Sequence, residues 1–384
     1  MGLKEIFCQD RAIGTLQRAM AAGRVPHAYI FAGPEGVGKF TTAKEWAKLL
    51  LCESSNQHGH PLSVLGALAM PPNSVPYDSC GKCQSCLKFE AGAHPDFQRV
   101  YKELLQFTKK GKDKTTPVDL PISVINEFLV DKVGSRPTLS QRSVFVVEEA
   151  QRLNKESQNA MLKTLEEPPP YCSIILLCTR LEDLLPTTQS RCQIVTFGTI
   201  YEELIIKTLM GKIPMPREEA QYWARFSQGS LGVAMQWSAV KLDEGSVFAI
   251  KKQLVEKFVR YETGDAVQFG DWLGQQAKEI AEGWEKVQKD TSTKDIGRRA
   301  TNGVLAMLAA VLNDVMKLNV GMKERLINED QRRYVEQLAK KYDAEAAAAG
   351  IAAIYKSMEW LEASVNEKLI FEELLLNLAV NAIL

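Results

Sequence analysis

Neither sign of charge prevails in this 384-residue sequence, where 47 Lys and Arg stand against 47 Asp and Glu. A chain so balanced is not a nucleic-acid-binding polycation, so any DNA contact must come from a local patch or from an assembly. Long apolar runs are missing too. The most continuous one, Ile174 to Cys178, is far too short to span a bilayer, so no membrane contact is expected. Met1-Gly2-Leu3-Lys4-Glu5-Ile6 has no apolar core behind a basic flank, so no secretory signal is expected and a cytoplasmic location is. Ile6 stands where Gly2 myristoylation needs Ser or Thr. A disulfide framework is also absent. Of eight cysteines, Cys80, Cys83 and Cys86 cluster while Cys8, Cys52, Cys172, Cys178 and Cys192 are scattered, and such a cluster reads as metal binding first. What the chain does have is length and 45% apolar residues, enough for two or three ordinary cores.

The first half alternates short apolar runs with helical patterns. Strands are expected at Ala28–Ala32, Asp96–Val100, Val144–Val147, Ser173–Cys178 and Gln193–Phe197, and helices at Asp10–Ala22, Gly38–Leu51, Ser123–Val133 and Asn154–Glu166. This alternation predicts βαβ units and a mostly parallel sheet covered on both faces. Asn154 or Ser157 can cap the last helix, and Pro168-Pro169-Pro170 ends it. After Phe197 the β pattern fades. Residues 200 to about 240 read as three short helices broken by Pro214, Pro216 and Gly229, and everything beyond 245 is helical. Leu369, Phe371, Leu374, Leu375 and Leu378 share helix-face spacing, which reads as core packing before subunit contact. Two segments look inserted: Ser54–Ser79, rich in Pro, Gly, Ser and Asn, and Lys102–Pro121, a polar loop carrying Lys109, Lys110, Lys112 and Lys114.

Gly33-Pro34-Glu35-Gly36-Val37-Gly38-Lys39 follows the first strand and opens a helix, the context a phosphate-binding loop requires. Gly33, Gly36 and Gly38 let the backbone curl and aim N–H groups at phosphate oxygens. The helix N-terminus adds partial positive charge, and Lys39 places a point charge on the terminal phosphates. One residue departs from the pattern. Phe40 stands where Ser or Thr normally coordinates Mg²⁺, and Thr41 is rotated away by about 100° along the helix. Mg²⁺ binding and ATP hydrolysis are therefore expected to be weakened, while the intact loop and Lys39 leave ATP binding possible. Val144–Val147 runs into Glu148-Glu149, which fits the acidic strand end that holds the Mg²⁺ shell and polarises water, with Glu148 in place of the usual Asp. Thr179 ends a neighbouring strand beside the expected γ-phosphate, and Arg191 at a strand edge can reach a neighbour's nucleotide.

Cys80-Gly81-Lys82-Cys83-Gln84-Ser85-Cys86 sets three thiols at two-residue gaps, and Cys52 at the end of the loop helix is the natural fourth. Four thiolates close a tetrahedral structural Zn²⁺ site with no position open for catalysis. His58, His60 and His94 compete for the fourth place, and a redox pair is the other reading of Cys80 and Cys83.

These residues together resemble the clamp-loader subunits of bacterial DNA polymerase III, an AAA+ family. The likeness runs in order through Val25-Pro26-His27-Ala28-Tyr29, the loop, the cysteine knuckle, Gly92-Ala93-His94-Pro95-Asp96, Asn159-Ala160-Met161-Leu162-Lys163-Thr164-Leu165-Glu166-Glu167-Pro168-Pro169 and Ser190-Arg191-Cys192-Gln193. The resemblance implies a RecA-like parallel-sheet domain with a zinc module over 1–199, a helical lid over 200–243 and a helical collar over 244–384. It implies a five-membered ring with gamma/tau motor and delta subunits that opens the sliding clamp and sets it on primer-template DNA, with Arg191 acting in trans on a neighbour's ATP.

Within the family, three departures separate the chain from the gamma/tau motor and match the delta-prime branch. Lys39-Phe40 replaces Lys-Thr, Glu148-Glu149 replaces Asp-Glu, and Gly232 stands where the motor's lid carries an Arg. A subunit with little hydrolysis of its own is expected. An active gamma/tau-type ATPase is the alternative, and a stand-alone zinc-bearing interaction module is a third.

Overall fold

The computed structural model describes residues 2–54, 77–109, 119–243, 245–288, 292–363 and 365–380. Most of the Ser54–Ser79 segment, with His58 and His60, lies outside them, as do Lys110, Lys112 and Lys114. The chain divides into two compact units, Met1–Ile200 and Tyr201–Leu384.

The first unit is built on five strands: β1 (Ala28–Ala32), β2 (Phe97–Val100), β3 (Ser143–Val147), β4 (Cys172–Cys178) and β5 (Gln193–Thr196). All pair in parallel, in the order β2-β3-β4-β1-β5. Its helices are α1 (Asp10–Ala21), α2 (Lys39–Leu51), α3 (Gln84–Glu90), α4 (122–133, with a π turn at Asn126–Val130), α5 (Lys155–Glu166) and α6 (Pro186–Gln189). Each expected strand is present, with its bounds shifted by a residue at most.

The central strands β1, β3 and β4 are buried on both faces because alternate side chains feed two separate cores. Tyr29, Phe31, Val144, Val146, Ile175 and Leu177 pack with Trp46 and Leu50 of α2. Ile30, Phe145, Val147, Ile174 and Leu176 pack on the other side with Val124 and Leu129 of α4 and Met161 of α5. Each fully buried large aliphatic contributes about 1.5–3 kcal/mol, which is why β4, buried along its whole length, anchors the sheet. Asn154 caps α5, its carboxamide oxygen accepting from Ser157 N at 2.8 Å.

The second unit is helical: α7 (Glu202–Lys212), α8 (Arg217–Phe226), α9 (Leu231–Ser238), α10 (Val247–Arg260), α11 (Ala266–Glu285), α12 (Thr293–Asn319), α13 (Arg332–Lys341), α14 (Ala344–Glu362) and α15 (Glu367–Val380). An aromatic column of Trp223, Trp237 and Trp284 joins α8, α9 and α11, and Gly303 of α12 leaves room for it. A Cβ at Gly303 would lie 1.8 Å from Trp237 Cη2. Lys251 of α10 is buried with Asp330, donating to both carboxylate oxygens at 2.5 and 2.7 Å. The C-terminal stripe is shifted from expectation. Phe371, Leu374, Leu375 and Leu378 are buried, but Ile370 rather than Leu369 completes the inward face, and Leu369 is 59% exposed.

Candidate functional site

The loop between β1 and α2 is shaped by three glycines at positive φ, Gly33 (154°), Gly36 (69°) and Gly38 (102°). Gly33 is also required by space, since a Cβ there would stand 2.4 Å from Phe197 O at the end of β5. Buried Gln9 ties the two segments together. Its carboxamide donates to Val37 O at 3.1 Å and Gly198 O at 2.9 Å and accepts from Gly198 N at 3.1 Å. The loop therefore has a fixed backbone that leads into the N-terminus of α2, the arrangement that binds anions. Lys39 is buried, and its Nζ donates to Gly33 O (2.5 Å) and Pro34 O (2.6 Å). Burial pushes its pKa down, against the opposing pull of Cys178 and Glu35.

The edge of the loop where a metal would be held is different. Phe40 sits on the first turn of α2, half-buried against the core below it. Thr41 follows on the same turn, and the Thr42 hydroxyl is spent on Gly38 O at 2.9 Å. Glu148, at the end of β3, accepts from Arg99 Nε at 2.7 Å, and the Arg99 guanidinium lies 4.7 Å from the Phe40 ring centroid. Glu149 adopts a left-handed backbone (φ 48°, ψ 45°), and its carboxylate meets Arg152 Nε at 3.1 Å and Lys102 Nζ at 3.7 Å. Thr179 follows β4, and its N–H donates to Gln151 Oε1 at 3.2 Å. Mg²⁺ requires oxygen ligands in near-octahedral array. Phe40 offers none and Glu148 is already paired, so these residues do not fit the ion.

Arg191 lies between α6 and β5. One terminal nitrogen donates to Thr187 O at 2.8 Å and the other meets Glu166 Oε1 at 2.5 Å, with the side chain 32% exposed. A partly solvated pair of this kind holds by no more than about 1 kcal/mol. Glu166 thus orients Arg191 without fixing it there.

The four cysteines converge. The sulfurs of Cys52, Cys80, Cys83 and Cys86 all lie within 4.8 Å of one another. Cys52 Sγ is 3.9 Å from Cys83 Sγ, and Cys80 Sγ is 4.0 Å from Cys86 Sγ. Backbone N–H groups donate to three of them, Cys80 N to Cys52, Cys83 N to Cys80 and Cys86 N to Cys83, at 3.3–3.4 Å. Such bonds favour thiolates. Burial acts to raise the Cys80 thiol, but the N–H groups of Lys82 and Cys83 outweigh it and bring it down to about 6. Burial raises Cys52 and Cys86. The donor set fits a structural metal such as zinc, which prefers four thiolates in a tetrahedron.

His94 takes no part in that cluster. It is buried, with Nδ1 accepting from Asp96 N (3.1 Å) and Nε2 facing Ser85 Oγ (2.9 Å), so Nε2 carries the proton. Ser85 Oγ in turn donates to Leu51 O at 2.6 Å, and Lys48 of α2 pairs with Glu90 of α3. Asp96 accepts from the backbone N–H groups of Thr138, Leu139 and Ser140 at 2.6–2.8 Å. The knuckle is thus stitched to α2 and to the strand entrance.

Arg99 is the residue that sequence reasoning missed. Its trace was the period-two pairing of Phe97 with Arg99 on β2, which sets a charge beside Phe40.

Comparison with known proteins places these features in context. A family model described as DNA polymerase III, delta subunit, matches residues 8–200, and one described as DNA polymerase III, delta subunit, C terminal, matches residues 294–379. The DNA polymerase III subunit delta' of Bacillus subtilis is 24% identical over 373 residues, 96% of each chain. The DNA polymerase III subunit gamma of Buchnera aphidicola is 30% identical over 206 residues, 54% of this chain and 47% of that one. A solved gamma-subunit-related protein of Thermotoga maritima aligns over 96% of this chain and 99% of that chain at 14% identity, with a TM-score of 0.42. Among the described residues, no helix is long and apolar enough to cross a membrane.

Proposed function

The chain belongs to the DNA polymerase III delta-subunit family, and from that premise we propose how it serves the clamp loader. The match to a delta' subunit runs the length of both chains, whereas the match to a gamma chain is partial, so it is a delta-prime-type component of that complex. In this reading the loop at Gly33–Lys39 binds ATP but does not turn it over. Helices α7–α9, over 200–243, act as the lid, and 244–384 form the collar that joins gamma/tau and delta subunits in a ring of five. That ring opens the sliding clamp and sets it on primer-template DNA. Arg191 reaches the ATP of an adjacent motor subunit and offsets charge on the transferring phosphoryl group. Cys52, Cys80, Cys83 and Cys86 hold zinc, which supplies a tetrahedral crosslink between the end of α2 and the knuckle and has no catalytic part.

The observation that carries the reading is the fate of the two acids after β3. Glu148 is engaged by Arg99 and Glu149 by Arg152 and Lys102, so neither is poised to hold a metal shell or polarise water. ATP hydrolysis by the isolated chain is the test. Turnover indistinguishable from buffer is expected, and brisk Mg²⁺-dependent turnover would make it a gamma/tau-type motor instead.

A further inference from the structure

The first turn of α2, the end of β3 and the edge strand β2 converge on one guanidinium. Arg99 shares its sheet face with Phe97, because alternate strand residues point the same way. Phe97 packs on the core that also receives α2, so Arg99 emerges beside the N-terminus of that helix. Its Nε donates to Glu148 Oε1 at 2.7 Å, and its guanidinium carbon lies 4.7 Å from the Phe40 ring centroid and 5.3 Å from that of Tyr101. A flat, delocalised cation that stacks on rings while hydrogen-bonding a carboxylate is a task for Arg and not for Lys. About half of the side chain stays exposed, at 48%.

Phe40 and Glu148 occupy the two positions from which a phosphate loop and its neighbouring strand hold Mg²⁺. Here one offers an aromatic ring and the other a carboxylate already neutralised. A dication would meet a fixed positive charge and too few oxygens for its octahedron. A guanidinium needs no such set, since its N–H fork meets phosphate oxygens directly. We propose that Arg99, clamped by Phe40 and Glu148, is the resident cation of the phosphate loop, so that the chain binds a nucleoside triphosphate without divalent metal. This rests on the reading that the loop binds ATP, and it accounts for Phe40. The ring that replaces the metal-binding hydroxyl is the platform for the cation that replaces the metal.

The test uses the full chain and a fluorescent ATP analogue, titrated by anisotropy in excess Mg²⁺ and in excess EDTA. The wild type is expected to bind with the same affinity in both, within about twofold. Arg99→Met is expected to weaken binding in EDTA by about tenfold or more, the loss of a charge-assisted contact, while Arg99→Lys recovers only part of it. Arg99→Met combined with Phe40→Ser frees Glu148 and restores a hydroxyl, and is expected to bind more tightly in Mg²⁺ than in EDTA. Wild-type affinity that rises about tenfold on adding Mg²⁺ overturns the proposal, as does Arg99→Met binding unchanged in EDTA. Absence of binding in both conditions also overturns it. Should a variant fail to fold by circular dichroism, the wild-type comparison still decides. The role of Arg191 is read separately, from ATP hydrolysis by the reconstituted ring, so one can fail without the other.

Discussion

Replacing Cys83 separates two jobs that one sulfur performs in the knuckle. In a tetrahedral site with Zn–S bonds of about 2.3 Å, neighbouring sulfurs lie about 3.8 Å apart. Two of the six separations, 3.9 and 4.0 Å, are within a few tenths of that and all lie within 4.8 Å, so the four thiols close on the ion with shifts of at most about 1 Å. Cys83 is also the N-cap of α3, its Sγ accepting from Cys86 N at 3.4 Å. Serine keeps an acceptor for that cap and loses the thiolate; alanine loses both. Cys83→Ser and Cys83→Ala should both fall from one zinc per chain to well below it, measured by atomic emission after desalting. The alanine variant should be less stable than the serine variant by about 0.5–2 kcal/mol, the worth of an N-cap. Structural zinc is worth about 10–16 kcal/mol where it organises a whole small finger. Here the sheet has its own two cores, so the loss is local. Hydrogen exchange should accelerate at 77–95 while β1, β3 and β4 stay protected. Stoichiometric zinc retained by Cys83→Ser would refute the ligand set, and exchange spreading through the sheet would refute the separation of knuckle from core.

The other perturbations probe the rest of the molecule. Arg191→Ala should leave ring assembly intact and lower ring ATPase several-fold, since an arginine acting in trans is worth about 10³–10⁵ at its own site; unchanged ring turnover counts against the role. Gly303→Ala drives a Cβ to 1.8 Å from Trp237, which is boxed in by Trp223 and Trp284, and should cost about 1–3 kcal/mol in thermal unfolding despite the helix propensity gained. Lys251→Met strands the buried Asp330 carboxylate and should cost about 3–5 kcal/mol, most of it recovered by adding Asp330→Leu. Burial holds His94 below its ordinary pKa, so the unfolded chain takes the proton first. Stability of the first unit is therefore full above about pH 6.5 and declines as pH falls through the folded value, an acid limb in urea melts that His94→Gln should flatten.

The three central strands β1, β3 and β4 were legible because each is a short apolar run whose two-sided burial leaves no polar face to blur the pattern, whereas the edge strands β2 and β5 carry polar residues and were read from their place in the alternation. Gly33–Lys39 was legible as a unit since its chemistry is local, spanning seven successive residues. The cysteine knuckle was nearly so, and Cys52 joins it because α2 ends at Leu51 and turns its next residue toward Cys80. The helical half was read less finely. Apolar residues are so dense in α15 that spacing alone did not decide between Leu369 and Ile370, and packing against Gly270 of α11, where Phe371 and Leu375 approach, sets the inward face.

The metal-facing edge of the loop was the part that local reading left incomplete, for a physical reason. Phe40 and Glu148 each register in sequence as a defect, a missing hydroxyl and an overlong acid. Their meaning comes from Arg99, distant from both in the chain and brought near by the β2-to-β3 pairing that sets Arg99 opposite Val146, two residues before Glu148. Glutamate suits this arrangement: its extra methylene, compared with aspartate, carries the carboxylate farther from the strand, and here it meets Arg99 Nε at 2.7 Å. Phenylalanine gives the same guanidinium a face to lie on. Two substitutions that look like independent losses are then one compensated change, a protein-borne charge in a position where the fold otherwise borrows an ion.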